Sequence, residues 1–456
     1  MKTSLILAVM LSASAVHAAE FNDLAGFRAS DIARMTVIAP APQPRQAAPA
    51  AAAAAGPDKV YSRYQADFKA VFVVQNDQNN PRYSQAQLNN ALFYAAFQLD
   101  IAAADRLMRL GASSSAVDTN GRTALMTAVM RGAGPQLISV LGNGNLEVMD
   151  PEGKTVLAYA AGSGSALTVR TLLSLGADAY ACAGDDCVPP IAYATTAAAV
   201  KEFLKVGVDV NRIYGKNKLT ALAIATYKRT PTEIKALVGA GAQVNYNGLE
   251  ASRTAMFAIA EPQVKLENIK ALLAAGADVN ARNRFGWTPL MEVLDKSLGQ
   301  DRVRFLLEAG ADANLAVKNT GYTPLMIASY KELPASHEGN IEDVKLLLAA
   351  GADVNAITLP NADVEIDGTA LTCAVYQDHM EIAQMLIAAG ADVNKAGNSG
   401  SPLGWACRHG SVRMVKLLIA AHVDVNQTSP RKTPLAIALE VGNQEIINML
   451  TAAGAH

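Results

Sequence analysis

The chain has 456 residues and a formal net charge of −2; 51% of its residues are hydrophobic and only 5% are aromatic. This length is too great for one compact hydrophobic core, although an array of stacked repeats has no such limit. The slightly acidic charge balance favours neither nucleic-acid binding nor attraction to an anionic membrane surface.

Residues 1–18 have the pattern of a secretory signal peptide. Lys2 supplies a positive charge, residues 5–15 form a short apolar run, and the small-residue pattern at 16–18 marks a cleavage site. Cleavage would leave Ala19 as the first residue. A retained anchor is the weaker alternative, because the apolar run is too short to span a bilayer. We therefore expect a bacterial periplasmic protein exported by the Sec route, with secretion beyond the outer membrane as the alternative.

Two further segments precede the main body of the chain. Residues 19–57 form an N-terminal tail and a linker, and the linker at 39–57 consists mostly of Pro and Ala, a composition that favours extended chain. A short docking helix at 21–38 is an alternative to a tail without structure. Residues 58–88 carry aromatic and apolar side chains at helical spacing. They are predicted to form a capping segment that covers the exposed end of the repeats.

Residues 89–456 repeat with a period of about 33 residues. The hexapeptide AGADVN and its near copies stand at 206–211, 240–245, 275–280, 309–314, 350–355, 389–394 and 421–426. About ten residues after most copies, Thr-Pro-Leu or Ser-Pro-Leu begins at Thr288, Thr323, Ser401 and Thr433. The fixed period and the two motifs indicate stacked helix-turn-helix units.

Each motif has a mechanical reason. The Thr or Ser caps the first helix of a unit, and the Pro that follows occupies a position where no backbone donor is needed. The Gly at 276, 310, 351 and 390 ends the second helix in a left-handed conformation. The following Asp and Asn favour a turn into a finger. One unit cannot bury its apolar stripe alone, so stability must come from stacking.

These motifs closely resemble those of the ankyrin-repeat family over residues 89–456. The resemblance implies an all-α fold: an ankyrin-repeat solenoid of about eleven helix-turn-helix units with short β-hairpin fingers. It also implies a curved stack whose first helices and finger tips line the hollow side. We expect first helices to begin near Asn90, Thr123, Thr155, Pro189, Thr220, Thr254, Thr288, Thr323, Thr369, Ser401 and Thr433.

The four cysteines divide into two pairs. Cys182 and Cys187 are five residues apart in a loop, and an exported protein keeps disulfides, so we predict a structural bridge. A redox-active pair would more often have two intervening residues near a helix start. Cys373 and Cys407 occupy slots that point in different directions on neighbouring first helices. We predict that these two remain unbridged.

No catalytic or cofactor motif is found. The histidines lack metal-ligand spacing, and the sequence has neither a phosphate-binding loop nor a nucleophile elbow. We therefore predict no enzyme activity, no cofactor and no metal. An enzyme on this scaffold would have to assemble an atypical site from surface residues of separate repeats.

The predicted functional feature is a surface. In this repeat the fourth, seventh and eighth positions past the cap should face the hollow side, together with the finger tips. Tyr, Trp and Arg are the residues that most often anchor protein interfaces. The alternative is that each side chain only covers neighbouring helices. The predicted partner-binding residues are Tyr193, Tyr227, Arg284, Trp287, Tyr330, Tyr376, Trp405 and Arg408.

We therefore expect an exported scaffold that binds another protein, of unknown identity, through its concave face and finger tips. A periplasmic inhibitor or immunity protein that blocks a toxin or an enzyme is the alternative within the same class. An enzyme with an atypical surface site and a purely structural spacer are alternatives from other classes. We expect the chain alone to be monomeric, to bind no nucleic acid, and to have no integral membrane segment after signal cleavage.

Overall fold

The computed structural model describes residues 64–73, 83–182, 187–246, 255–331, 338–359, 367–428 and 432–456. The predicted signal peptide, tail and linker lie outside these residues. Within the described residues, eleven helix pairs follow one N-terminal helix. The predicted all-α solenoid of about eleven helix-turn-helix units is confirmed.

The first half of the array contains five helix pairs and one hairpin. Four of the pairs consist of two α-helices, and the fourth pair along the chain begins with a 3₁₀-helix instead. The first 3₁₀-helix, Pro190–Tyr193, lies between α7 and α8, and the hairpin lies between α8 and α9. The elements are α1 (Gln65–Val73), α2 (Gln85–Gln98), α3 (Ile101–Arg109), α4 (Ala124–Met130), α5 (Pro135–Leu141), α6 (Val156–Ser163), α7 (Ala166–Ser174), α8 (Ala197–Lys205), β1 (Ile213–Tyr214), β2 (Leu219–Thr220), α9 (Ala221–Lys228) and α10 (Pro231–Gly239).

The second half continues the same alternation of first and second helices. Its first pair opens with the second 3₁₀-helix, Ala255–Ala260, in place of an α-helix. The elements that follow are α11 (Leu266–Ala274), α12 (Pro289–Asp295), α13 (Gln300–Glu308), α14 (Pro324–Tyr330), α15 (Glu338–Ala349), α16 (Ala370–Tyr376), α17 (Met380–Ala388), α18 (Pro402–His409), α19 (Val412–Ala420), α20 (Pro434–Val441) and α21 (Gln444–Ala452).

The Thr or Ser before a first helix caps it as predicted. Thr323 Oγ1 accepts the backbone N–H of Met326 at 3.3 Å, and Ser401 Oγ accepts that of Gly404 at 3.1 Å. Each bond satisfies a backbone donor that the first turn of a helix leaves unpaired. The cap therefore fixes where each first helix begins, so residues at the same distance from their caps occupy equivalent places in different repeats. Thr254, one of the predicted starts, lies outside the described residues.

The first pair begins earlier than predicted. Ser84 caps α2, and Gln87 completes a capping box by accepting the backbone N–H of Ser84 at 3.0 Å. The start near Asn90 is therefore wrong by about one and a half turns, and the predicted boundary between 88 and 89 falls inside α2. The missed signal was Ser followed three residues later by Gln, which is a helix-start pattern even without Thr-Pro-Leu.

The 3₁₀-helix at Pro190–Tyr193 replaces the α-helix expected from Pro189. The two caps of this repeat, Pro189 and Thr196, are seven positions apart. The corresponding caps of the tenth repeat, Ser401 and Ser411, are ten positions apart. The shorter segment cannot hold two α-helical turns, and the tighter 3₁₀ geometry covers the same gap with fewer residues.

The predicted left-handed ends of the second helices are confirmed. Gly276, Gly310, Gly351 and Gly390 have φ values between 81° and 92°. At the equivalent position in the tenth repeat, His422 adopts φ 61°. Residues that have a Cβ rarely adopt this left-handed backbone conformation, so this position favours glycine.

An asparagine ladder ties successive repeats together at the finger bases. Asn314 Oδ1 accepts the backbone N–H of Asp353 at 2.7 Å, and its Nδ2 donates to Gly351 O at 2.9 Å. Asn355 repeats both bonds one repeat later, to Asp392 N and Gly390 O. The conserved spacing of the hexapeptide within this chain therefore has a direct structural purpose, since each Asn fixes the turn of the next unit.

β-structure in the fingers is short. β1 pairs with β2 in antiparallel register, with Ile213 opposite Thr220 and Tyr214 opposite Leu219. Isolated bridges join Val117 to Thr123 and Gly397 to Gly400. Within the described residues, the predicted hairpin fingers are therefore mostly turns and bridges rather than ladders.

The core is an apolar layer that continues from one repeat to the next, made of buried residues such as Leu125, Leu222, Leu290, Leu371 and Leu403. At its N-terminal side α1 packs on α2, with the ring centroids of Phe68 and Tyr94 4.9 Å apart. No described helix has the length and hydropathy needed to cross a bilayer.

The four cysteines occupy two kinds of place. The Sγ atoms of Cys182 and Cys187 are bonded, and their Cα atoms are 5.0 Å apart. Cys373 and Cys407 are free and buried. The bonded pair lies before the first 3₁₀-helix, whereas the two free thiols belong to the packed layer of first helices.

Candidate functional site

Three successive first helices, α14, α16 and α18, place aromatic side chains next to one another. Because each helix starts from a cap, positions counted from the cap recur at equivalent places in every repeat. Tyr330 and Tyr376 stand seven positions after their caps, and Trp405 stands four positions after its own. Their side chains meet across repeat boundaries, although they are far apart in sequence.

The rings of Tyr330, Tyr376, Trp405 and His409 form a continuous series, which we call the aromatic ladder. The centroids of Tyr330 and Tyr376 are 6.3 Å apart. Tyr376 meets Trp405 at 4.9 Å with an interplanar angle of 77°, and meets His409 at 4.9 Å and 62°. These distances and edge-on angles are those at which aromatic rings attract one another.

The ladder belongs to the surface rather than to the core. Tyr330, Tyr376 and Trp405 are half-buried, and His409 is exposed. The Nε1 atom of Trp405 is buried and has no hydrogen-bond partner in the part of the chain that the structure describes. The apolar layer is already filled by other residues of the same helices, so the remaining ring area is available for contact with another molecule.

The positive charge at the ladder is concentrated on Arg408. This side chain is exposed, and its Cζ lies 5.1 Å from the Trp405 ring centroid. Although His409 is exposed as a residue, Tyr376 and Trp405 cover part of its ring, and this partial desolvation lowers its pKa below the usual value. Repulsion from Arg408 lowers the pKa further, and Asp378 opposes the shift. The lowered pKa favours the uncharged imidazole, and Arg408 adds a cation beside the apolar rings.

The structure thus brings four predicted residues together: Tyr330, Tyr376, Trp405 and Arg408. Others lie elsewhere on the array. Tyr227 is half-buried near the end of α9, and Trp287 is half-buried in the finger before α12. Arg284 lies at the tip of that same finger, with its Cζ 4.6 Å from the Phe285 ring centroid.

The predicted role of Tyr193 as an exposed anchor needs correction. Tyr193 is only 7% exposed. The Cζ of Arg229 lies 3.8 Å from its ring centroid, and the Nζ of Lys154 lies 5.9 Å from it. A partner would meet Arg229 before it met the ring, so Tyr193 supports this part of the surface from beneath.

Sequence reasoning missed a cluster of basic residues beside Tyr159. The Tyr159 hydroxyl donates to Asp150 Oδ2 at 2.5 Å and accepts from Arg122 Nε at 3.2 Å. Burial, followed by the bond to Asp150, raises the pKa of Tyr159. Arg122 and Lys154 each stand immediately before a capping Thr, but the predicted finger-tip residues did not include these two. Trp287 occupies the same slot, and that recurrence was the available signal.

Two kinds of reactive group can be described in this part of the chain: the free thiols and the possible metal ligands. Burial raises the pKa of both Cys373 and Cys407 to about 12, so these thiols stay protonated at neutral pH and are poor nucleophiles. In the same part of the chain, no group of three or more His, Cys, Asp and Glu side chains is arranged to hold a metal ion.

Two family models match the chain. The one described as ankyrin repeats (3 copies) matches residues 76–181, 255–358 and 371–456, which together exceed half of the chain. The chain belongs to the ankyrin-repeat family. A second model, described as ankyrin repeats (many copies), matches residues 335–387. Ankyrin repeats generally mediate protein–protein interaction, and proteins built from them are typically binding scaffolds rather than enzymes.

Similar ankyrin-repeat proteins include ankyrin repeat and SOCS box protein 6 of Homo sapiens, which is 27% identical over 230 residues. The protein of the same name from Pongo abelii is 26% identical over 230 residues. Each match covers 46% of this chain and 55% of the relative. The chain therefore spans about half the length of the curated relatives it matches.

Proposed function

We propose that this ankyrin-repeat chain is an exported scaffold that holds another protein on the face formed by its first helices and finger tips. The aromatic ladder is the observation that carries the proposal. Its rings come from three successive repeats, contact one another, and keep part of their area outside the core. The family's general role in protein binding supports the same conclusion.

The physical basis of binding is the removal of ring area from water. Tyr, Trp and Arg dominate the energetics of protein interfaces because they combine large apolar area with a polar or charged end. Tyr376 is held by ring contacts on both sides, so it loses little rotamer freedom when a partner covers it. Arg408 stands at the edge of the ladder, where it can pair with a carboxylate at the rim of the partner.

Two observations support export. Residues 1–18 have the signal-peptide pattern, and the bond between Cys182 and Cys187 is of a kind that persists outside the reducing cytosol. We expect the mature chain to begin at Ala19 and to fractionate with the periplasm. N-terminal sequencing of the fractionated protein tests this, and a cytoplasmic chain that begins at Met1 would overturn it.

The binding role is tested by crosslinking in the native envelope, with the wild type compared to a Tyr376→Ala/Trp405→Ala variant. Mass spectrometry identifies the captured proteins. We expect at least one protein to be captured by the wild type and reduced about tenfold or more in the variant, as the loss of two interface anchors would produce.

The matched control is a Tyr94→Ala/Phe305→Ala variant. Both of these aromatic side chains are half-buried, and they lie in α2 and α13, away from the ladder. The control should capture the same protein as the wild type. Equal capture by the wild type and the ladder variant, with both folded by circular dichroism, would refute the proposed binding surface.

A further inference from the structure

The finger before α12 ends in an exposed aromatic residue. Phe285 is 62% exposed, which is the largest value among the exposed large hydrophobic side chains of the described residues. The Arg284 guanidinium lies over its ring at 4.6 Å and is also exposed. This Phe lies outside the packed layer and presents an apolar ring to solvent beside a cation.

This tip and the next one line a cleft of about 210 Å³, which residues 282–286 and 318–319 form. Arg282 joins the two fingers, because its Nη1 donates to Gly286 O at 2.9 Å and to Ala316 O at 2.8 Å. Gly286 adopts φ 80°, a left-handed conformation that favours glycine at this turn. The cleft therefore has a fixed floor, with Arg284 and Lys318 exposed at its rim.

The turn at this tip lacks the negative charge that two equivalent turns carry. Asp118 Oδ1 accepts the N–H groups of residues 120 and 122, and Asp150 Oδ1 accepts those of residues 152 and 154. Asn283 Oδ1 makes the same two bonds, to Phe285 N at 2.9 Å and Trp287 N at 3.0 Å. The backbone geometry is kept while a neutral amide replaces a carboxylate, so the tip is left positive.

The nearby carboxylate does not neutralise the rim. Glu292 is buried in α12, and its Oε1 accepts from Asn283 Nδ2 at 2.8 Å on the inner side of the turn. Arg284 and Lys318 are exposed, and neither forms an ion pair with another described residue. The cleft thus offers two outward-facing cations next to an exposed ring.

We propose that this basic tip, made of Arg284, Phe285 and Lys318, binds an acidic segment of the protein partner. A carboxylate of that segment pairs with Arg284 and Lys318, and an apolar side chain beside it packs on Phe285. The inference rests on the proposed binding function and adds the chemistry of the partner to it. Guanidinium pairs well with carboxylate, and a ring beside it excludes water from the pair.

The test uses fluorescence anisotropy with three labelled peptides at low salt. One peptide contains Glu and Leu, the second has Gln in place of every Glu, and the third has Lys in place of every Glu. A single-stranded DNA oligonucleotide is the fourth probe. We expect the Glu peptide to bind the wild type about tenfold or more tightly than the Gln peptide, with an affinity that falls as salt rises.

An Arg284→Glu/Lys318→Glu variant should lose that preference and bind the Lys peptide instead. The control is Lys201→Glu/Lys235→Glu, which makes the same change in net charge at exposed positions of α8 and α10. The control should keep the preference for the Glu peptide. Equal binding of the Glu and Gln peptides, tighter binding of DNA than of the Glu peptide, or an equal loss in the control would each overturn the assignment.

The ladder variant Tyr376→Ala/Trp405→Ala separates this inference from the proposed function. It should bind the Glu peptide as tightly as the wild type does, because the basic tip is intact in it. Failure of peptide binding in a protein whose partner capture still depends on the ladder would refute the basic tip alone. Normal peptide binding together with ladder-independent capture would refute the ladder alone.

Discussion

Tyr376 lies edge-on to Trp405 across a repeat boundary, with ring centroids 4.9 Å apart and ring planes inclined by 77°. The two residues come from α16 and α18 and stand at different distances from their caps. Their contact therefore depends on how one repeat is set against the next. Any change in that stacking would alter the shape of the aromatic ladder, so repeat stability and the proposed binding surface are physically linked.

We expect the stability effects of Tyr376→Ala and Trp405→Ala to be non-additive. Edge-to-face aromatic pairs contribute about 0.5–1.5 kcal/mol beyond the burial of their area. The double variant should therefore lose about 1 kcal/mol less free energy of unfolding than the sum of the two single losses. Urea denaturation of the four proteins measures the coupling. The control cycle, Tyr376→Ala with Phe305→Ala, should be additive, and additivity in both cycles would mean that the rings do not interact.

Features that depend on the residues of one repeat were predictable from the sequence. Thr323 and Ser401 cap their helices because a hydroxyl before an apolar run has a local purpose. Gly310 and Gly351 end helices because a left-handed residue favours glycine in any context. Such rules need no knowledge of neighbouring repeats, so the helix count and most of the helix starts followed from the sequence.

Features that depend on contacts between repeats were not predictable in the same way. The exposure of Tyr193 is decided by Arg229, which belongs to the following repeat and covers its ring. The meeting of Tyr376 with Trp405 combines two different slots of two repeats, and a list of equivalent positions cannot show it. The residues of the candidate surface could therefore be named from the sequence, but the contacts among them could not be predicted.

The asparagine ladder predicts a stability loss for Asn314→Ala. That change removes the bonds to Asp353 N and Gly351 O, which join the seventh and eighth repeats. The side chain is exposed, so water replaces part of what is lost, and we expect a cost of about 1 kcal/mol. Asn143→Ala, at an exposed position outside the asparagine ladder, is the control. Chemical denaturation and hydrogen exchange of the Asp353 amide measure the effect, and wild-type exchange at that amide would contradict it.

The left-handed slot at the ends of the second helices predicts opposite effects for two substitutions. Gly310→Val places a β-branched residue at φ 92°, where open space surrounds the new Cβ, so only backbone strain applies. We expect a loss of about 1 kcal/mol or more. His422→Gly relieves φ 61° in the tenth repeat and should gain about 0.5 kcal/mol, because the greater freedom of the unfolded glycine offsets part of the relief. Thermal melting of both variants tests the pair, and a loss of stability on His422→Gly would show that the histidine has a compensating role.

Acid sensitivity is predicted at Glu202, which links the second helices of the third and fourth repeats. Arg170 donates two hydrogen bonds to its carboxylate, at 3.0 and 2.9 Å, and Lys205 donates a third at 2.8 Å. These bonds, first those from Arg170 and then that from Lys205, lower the pKa of Glu202 to about 2 from a usual value of 4.5, against the opposing effect of burial.

Because the folded-state pKa is lowered, the stabilisation is complete above pH 4.5 and is lost as the pH falls from 4.5 through 2. The side chains of Arg170 and Lys205 are 59% and 61% exposed, so solvent screening limits the effect to about 1 kcal/mol. Glu202→Gln should lower stability at pH 7 and flatten the pH dependence between 4.5 and 2, whereas Glu381→Gln, at an exposed position of α17, should do neither. Urea melts at pH 2, 3, 4.5 and 7 make the comparison. An unchanged pH profile for Glu202→Gln would mean that this ion pair contributes no pH-dependent stability.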